Sequence, residues 1–267
     1  MTETEIHEEE KIEVEKEVIE VKGKEAEEVV ETKKTDVEKW TPKTSLGLKV
    51  KNKEIKEIDE ILDQGKVILE SEIVDALIPN LETELIMAGQ SKGKFGGGAR
   101  RVFKQTQKKT PEGNKPSFTC LAIVGNNDGY VGVGLGKSKD TVPSREKAIR
   151  NAKLNVMKIV RGCGSWECGC KEPHSIPFKI TGKCGSVMIE LIPAPKGKGL
   201  CIEKECAKIL KLAGIKDIWS KTFGQTKVKA NLSMACLKAL KKLVEYKITQ
   251  KGIEITGYKE GRITQNV

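Results

Sequence analysis

The sequence predicts an α+β protein with two packed domains. From residue 40 onward, apolar residues recur at helical spacing in some segments and alternate at strand spacing in others. A cysteine-rich segment at residues 161–175 separates two such groups. The chain of 267 residues is long enough for two small domains with their own cores, and no apolar run has the length of a membrane span.

Residues 1–39 are expected to be a disordered acidic tail, because they mix Glu, Lys and Val without a clear period and contain no aromatic residue. Residues 1–40 carry fourteen Glu, one Asp and seven Lys, a net charge of −8. Since the whole chain carries +10, the other residues carry +18. So basic a body predicts a polyanionic partner, usually nucleic acid. A solvated lysine-rich surface is the alternative.

Residues 40–84 are predicted to form a helical extension. In the stretch KEIKEIDEILDQG, isoleucines recur on one helical face from Ile55 to Ile61, and Gly65 follows as a stop. A second helix is expected to start after Ser71 and to end before Pro79.

Residues 85–160 are predicted to form a unit of type α-β-β(-β)-α. A strand at 118–124, a turn at Asp128-Gly129 and a second strand make a hairpin. A helix follows that turns one apolar face to the sheet; its residues are Ala148, Ile149, Ala152, Val156 and Ile159.

The second strand of this hairpin contains the stretch YVGVGLGKSK, whose end resembles a phosphate-binding P-loop. A P-loop needs a glycine five residues before Gly136, and Val131 stands there instead. The glycines alternate with Val131, Val133 and Leu135, which is the period of a strand with one apolar face. A nucleotide-dependent enzyme using Gly136, Lys137 and Ser138 remains an alternative function.

The stretch before the hairpin, residues 89–117, is basic and rich in glycine, and it is interpreted as an arm that follows a phosphate backbone. A flexible surface loop is the alternative. The cationic residues of this arm are Lys92, Lys94, Arg100, Arg101, Lys104, Lys108, Lys109 and Lys115.

The cysteine-rich connection contains three cysteines and a histidine at the spacing C-x4-C-x-C-x3-H. Four such ligands suffice for a closed, structural zinc site. They are Cys163, Cys168, Cys170 and His174. A loop of reduced thiols with a hydrogen-bonded histidine is the alternative. The acidic N-terminus does not resemble a secretory signal, so a cytoplasmic protein with reduced thiols is expected.

Residues 176–246 are predicted to form a second α+β domain, followed by a basic tail at 247–267. Strands are expected near 176–181 and 185–192, and a third in IKDIWSKTFGQTK. One helix ends at Gly214, and another is capped by Asn231. The loop PAPKGKG offers Lys196 and Lys198 to phosphates or is an ordinary turn.

No catalytic site is predicted. His7 lies in the tail, so a histidine-dependent mechanism would need His174. The sequence contains no HExxH, GxSxG or EF-hand pattern, and the chain is predicted not to be an enzyme.

Several stretches, in this order, resemble the S-five family of small-ribosomal-subunit proteins in its archaeal and eukaryotic form. They are SFTCLAIVGNNDGYVGVGLGKS, RGCGSWECGCKEPHSIPFKITGKCGSV, LIPAPKGKGL and LAGIKDIWSKTFGQT. The resemblance covers about residues 40–246, and the cysteine-rich segment looks archaeal. It implies a double-stranded-RNA-binding-like domain (α-β-β-β-α) at 85–160, followed by the α+β fold named after the family's second domain.

The resemblance also implies a function. The family binds small-subunit ribosomal RNA, lines the side where messenger RNA enters and supports translational accuracy beside S-four- and S-eight-type proteins. Carried onto this chain, the RNA-facing positions are Lys108, Lys109, Thr110, Gly113, Asn114, Lys115, Gly197, Lys198 and Gly199. Lys137 and Lys139 complete the predicted RNA-binding set. A free duplex-RNA-binding regulator is a further alternative.

Overall fold

The computed structural model describes residues 40–78, 80–91 and 100–262. The predicted acidic tail at 1–39 and residues 92–99 of the basic arm, with Lys92 and Lys94, lie outside the described residues. Within the described ranges, no helix is both long enough and apolar enough to cross a membrane.

Three short helices form the N-terminal extension: α1 (Ser45–Lys51), α2 (Asp59–Asp63) and α3 (Ser71–Leu77). α3 agrees with the prediction. α1 was not predicted, and the helix expected from Ile55 shrinks to the five residues of α2. Ile58 and Ile61 are nevertheless buried. The regular spacing of the isoleucines therefore indicated correctly that they are buried, although no continuous helix forms.

The first sheet is antiparallel and is built around one long strand. Its strands are β1 (Glu82–Leu85), β2 (Lys104–Thr110), β3 (Gly113–Gly125), β4 (Tyr130–Ser138) and β5 (Val156–Lys158). β1 and β2 pair with successive parts of the same edge of β3, and β4 pairs with its other edge. The predicted hairpin and its Asp128-Gly129 turn are therefore confirmed.

Helix α4 (Thr141–Leu154) lies against the glycine face of β4. A Cβ atom on Gly134 would lie 2.1 Å from the backbone nitrogen of Ala152, and one on Gly136 would lie 2.2 Å from the carbonyl oxygen of Ser144. The glycines therefore allow a helix backbone to pack directly on a strand. This contact rejects the P-loop interpretation, since Gly136-Lys137-Ser138 lie within β4 rather than in a strand–loop–helix turn.

Two details of this unit differ from the prediction. The helix ends at Leu154, so Val156 belongs to β5 and Ile159 follows it in the core. Leu135 is 53% exposed, although the strand period places it beside the buried Val131 and Val133. Its partner across the ladder, Leu121, is buried in the core, so the edge of the core runs between these two strands.

The elements of the second domain are β6 (Val160–Arg161), β7 (Ile180–Cys184), β8 (Val187–Pro193), β9 (Leu200–Cys201), α5 (Lys204–Leu212), β10 (Ile218–Phe223) and α6 (Lys229–Glu245). Four of its strands form one sheet in the order β7-β8-β10-β9, with β9 parallel to β10. β7 and β8 start later than predicted. The predicted cap Asn231 lies inside α6, whose N-cap is Val228.

The segment assigned to a basic tail is folded as far as Arg262. It contains helix α7 (Gln250–Thr256) and strand β11 (Lys259–Glu260). β11 pairs antiparallel with β6, so that Lys259 lies opposite Arg161. The ladder attaches the end of the described chain to the junction between the two domains.

A single hydrophobic core joins both domains. Ile123 and Val133 of the first sheet pack in one cluster with residues of the second domain, such as Leu210 and Leu240. The glycine face of the first sheet packs with α4 and the N-terminal extension in a second cluster. Because both faces of the first sheet are buried at this end, the opposite end of β2–β3 and the loops are left as the exposed functional surfaces.

Candidate nucleic-acid interface and metal centre

The described part of the basic arm is an ordered β-ribbon. β2 and the start of β3 pair from Lys104↔Thr119 to Thr110↔Gly113, and almost all of these residues are exposed. Gly113 has φ +117°, which allows the tight turn at the tip. The arm thus presents its cations from a hydrogen-bonded ladder, and the flexible-loop alternative is wrong for residues 104–115.

Four lysines share one side of this sheet, which we call the lysine face: Lys104, Lys108, Lys115 and Lys137. Directly opposite residues in an antiparallel pair point to the same side. Thr119 pairs with both Lys104 and Lys137, which places these two lysines in one row across three strands. Lys108 and Lys115 lie directly opposite each other nearer the tip.

The lysine face carries more positive charge than its surroundings neutralise. Like charges directly opposite in a sheet are destabilising, so the Lys108–Lys115 pair has no structural advantage. Glu112 forms an ion pair with Lys115 at 2.9 Å, but both side chains are largely exposed and such a pair is weak. An anion such as a phosphate group offsets this repulsion.

The other predicted RNA-binding residues of the first domain are more dispersed. Lys109 and Asn114 pair on the opposite side of the ribbon, and Thr110 is at its tip. Lys139 is exposed just after β4 and Arg101 just before β2. Arg100 donates from Nη1 to the carbonyl of Lys227 at 2.9 Å, so part of its guanidinium binds the second domain.

The four predicted metal ligands come together. The Sγ atoms of Cys163, Cys168 and Cys170 and a ring nitrogen of His174 all lie within 4.8 Å of one another. Sγ of Cys168 is 3.3 Å from Sγ of Cys170 and 3.8 Å from Nε2 of His174. Four Zn–S and Zn–N bonds of about 2.0–2.3 Å in a tetrahedron place ligands at about this separation. The residues therefore form a cluster able to hold a metal ion.

Asp217 orients the histidine of this cluster. Nδ1 of His174 lies 2.9 Å from Oδ2 of Asp217, and both side chains are buried. The other carboxylate oxygen of Asp217 accepts from the backbone N–H of Gly199 at 2.8 Å. Since Nδ1 faces the carboxylate, Nε2 is left to face the cysteines, as in carboxylate–histidine–metal arrangements.

The cysteines differ in their readiness to ionise. A hydrogen bond from the backbone N–H of Lys196, assisted by Cys170, lowers the pKa of Cys168 to about 6. Burial, together with the neighbouring thiols, raises the pKa of Cys163 to about 11. Cys168 is therefore a thiolate at neutral pH, the form that binds metal, whereas Cys163 ionises once a cation offsets its burial.

The PAPKGKG loop is attached to this cluster, a link that the sequence analysis did not anticipate. The backbone N–H of Lys196 lowers the pKa of Cys168, and Nζ of Lys196 bonds Oε2 of Glu172 at 2.6 Å. Gly199 bonds Asp217, as above. Gly197 and Gly199 both have positive φ, which the turn requires. Lys198 is exposed on the loop, so the cysteine cluster positions one of the predicted phosphate contacts.

Comparison with known proteins follows the same division of the chain. Residues 99–160 match the family description "Ribosomal protein S5, N-terminal domain", and residues 182–252 match "Ribosomal protein S5, C-terminal domain". A protein of Nanoarchaeum equitans named "Small ribosomal subunit protein uS5" is 51% identical over 228 residues, 85% of this chain and 98% of that protein. The chain belongs to the ribosomal protein S5 family.

Other archaeal members of the S5 family are similarly close. The protein of the same name from Methanocaldococcus jannaschii is 46% identical over 228 residues, 85% of this chain and 98% of its own length. That from Thermofilum pendens is 47% identical over 207 residues, 78% of this chain and 95% of its own. These matches confirm the family resemblance, the fold class and the prediction that the chain is not an enzyme.

Proposed function

We propose that this chain is a structural constituent of the small ribosomal subunit that binds its ribosomal RNA. The observation that carries the proposal is the match, over nearly their whole length, to archaeal proteins named as small-subunit components. The lysine face supports it, because four lysines on one side of a rigid sheet suit a phosphate backbone better than any small ligand. Holding RNA shape requires these positions to be fixed, and the two buried clusters fix them.

We infer the finer roles from the family resemblance. On this basis, the ribbon reaches RNA on the side of the subunit where messenger RNA enters, and the protein supports translational accuracy there. S-four- and S-eight-type proteins are the proposed neighbours, and the cytoplasmic ribosome is the proposed location. A division into units 40–84, 85–160, 161–175 and 176–246 belongs to the same proposal. The shared core makes these units parts of one body.

We propose that the cysteine cluster holds a structural zinc ion. Three thiolates and one imidazole are the ligands that zinc prefers, and together they leave no open coordination position. Cys163, Cys168, Cys170 and His174 would hold the ion, and Asp217 would orient the histidine. The ion would fix an irregular segment and, through Lys196 and Gly199, the loop that presents Lys198.

Replacing Lys108 and Lys115 together by glutamine is expected to weaken binding to archaeal small-subunit ribosomal RNA. Each lost phosphate contact reduces the slope of log affinity against log salt by about 0.7–0.9, so the double variant should lose about 1.5. Filter binding of the full chain between 50 and 200 mM KCl measures this slope. The control is Gln105→Ala with Gln107→Ala, on the other side of β2, which should leave the slope unchanged.

Sedimentation separates this function from that of a free duplex-RNA-binding regulator. A tagged chain in an archaeal lysate should travel almost wholly with small subunits. If most of it stays in the soluble fraction while the purified chain binds arbitrary RNA duplexes, the regulator is the better account.

A further inference from the structure

A basic cleft lies between the two domains, and its cationic residues have no role in the sites described above. Its volume is about 1130 Å³. The loop after β3 and strand β6 form part of its wall, together with the segment before β7, the end of α5 and strand β11. We call it the junction cleft; its cationic residues are Arg161, Lys211, Lys216, Lys259 and Arg262.

The acidic residues of the junction cleft are already paired. Asp128 accepts from Nη2 of Arg161 at 2.8 Å, and Glu172 pairs with Lys196 at 2.6 Å. The other four cations of the cleft are exposed, and none has an ion pair or side-chain hydrogen bond among the described residues. The cleft therefore holds an excess of positive charge that the described protein does not balance.

Arg161 is the buried member of this set, with only 4% of its side chain exposed. Its Nη2 donates to Asp128 and to the carbonyl of Gly261, whereas its Nε is buried without a partner. Lys259 lies directly opposite Arg161 in the β6–β11 ladder. A buried donor without an acceptor is unfavourable, and like charges placed opposite each other add to that cost. The repulsion between the two cations falls when an anion enters the cleft.

We propose that the junction cleft receives a stretch of RNA phosphate backbone, a second RNA contact distinct from the ribbon and the PAPKGKG loop. This inference rests on the proposed function and extends it. Three lysines and an arginine at the rim neutralise phosphates, whereas the charge of Arg161 beneath them is already balanced by Asp128. The predicted basic tail thus contributes Lys259 and Arg262 to an ordered site.

The lining favours phosphate over a base or a free nucleotide. Among the described residues, no Phe, Tyr or Trp side chain lines the cleft. The ring of His174 does line it, but Asp217 holds this ring on one side and Cys168 lies on the other, so it is not a free stacking platform for a base. The apolar side chains of the lining are Pro173, Leu200 and Ile215. A small-molecule pocket is usually smaller than about 1,000 Å³. An open, cation-rimmed cleft fits a passing backbone, which is recognised by charge and not by sequence.

The test compares three full-length proteins in binding to archaeal small-subunit ribosomal RNA across 50–200 mM KCl. The cleft variant carries Lys211→Gln, Lys216→Gln, Lys259→Gln and Arg262→Gln. A matched variant removes four exposed lysines elsewhere, with Lys49→Gln, Lys204→Gln, Lys221→Gln and Lys238→Gln. All eight side chains are exposed, so both variants should melt like the unmodified chain.

The cleft variant is expected to bind at least tenfold more weakly at 100 mM KCl, and its salt slope should be about 3 smaller, as for four lost phosphate contacts. An unchanged slope overturns the inference, and so does an equal loss in the matched variant, which would show only a net-charge effect. If the unmodified chain itself ignores this RNA, the proposed function fails. If the ribbon variant loses affinity and the cleft variant does not, only the junction cleft is wrong.

Discussion

Replacing Gly134 by alanine is expected to destabilise the protein by about 3 kcal/mol, the upper end of the usual range for overpacking. The added methyl group would lie 2.1 Å from the backbone nitrogen of Ala152 and 2.4 Å from the carbonyl oxygen of Ala148. Both are helix backbone atoms, so no side-chain rotation relieves the clash, and α4 must separate from β4. Thermal unfolding of the purified chain should show a melting temperature about 6–12 °C lower.

Leu135→Ala is the matched control for this prediction. Leu135 follows Gly134 in β4, and its side chain is 53% exposed on the other face of the sheet. Truncating it should shift the melting temperature by no more than about 2 °C. Equal melting temperatures for Gly134→Ala and the unmodified chain would show that α4 can pack on β4 without glycine at this position.

Replacing Cys168 by serine is expected to weaken zinc binding at least about a hundredfold, or about 2.8 kcal/mol. A neutral hydroxyl does not substitute for the thiolate that Lys196 stabilises through its backbone N–H. The PAPKGKG loop is linked to the cluster on two sides, since Gly199 also bonds Asp217. We therefore expect the backbone of this loop to open more often in Cys168→Ser. Competition with a chromogenic chelator measures the affinity, and hydrogen exchange of residues 194–199 measures the opening.

The control for the zinc prediction is Cys201→Ser, since Cys201 is an exposed cysteine outside the cluster. It should leave both the zinc affinity and the exchange rates unchanged. Purified chain that contains no zinc by metal analysis and gains none at micromolar zinc contradicts the zinc proposal. If the unmodified chain binds zinc but hydrogen exchange of residues 194–199 is the same in Cys168→Ser, only the link between metal and loop is contradicted.

The sequence predicted secondary structure best in elements whose buried residues recur at a regular spacing. The alternation of Gly132, Gly134 and Gly136 indicated a strand, and helical spacing predicted the buried residues of α6 except Ser233 and Leu237. Strand β2 was missed for the opposite reason. Its sequence, KQTQKKT, is polar throughout, so no alternation of apolar and polar residues indicates a strand. The strand is stabilised by pairing with β3.

The candidate sites show the same limit. Local spacing within twelve residues was enough to predict that Cys163, Cys168, Cys170 and His174 come together. Asp217 was not predicted, because it approaches His174 from 43 residues further along the chain. The lysine face and the junction cleft likewise depend on strand register, which brings Lys104 beside Lys137 and Lys259 beside Arg161. Register between distant strands is set by tertiary packing, and local sequence does not report it.

A density map of the assembled small subunit containing this chain tests the central claim most directly, namely that lysines fixed on the β2–β3 ribbon bind ribosomal RNA. We expect phosphate oxygens of small-subunit RNA within hydrogen-bonding distance of Nζ of Lys108 and Lys115. A map in which the chain occupies the subunit while this ribbon contacts only solvent or protein would contradict the account.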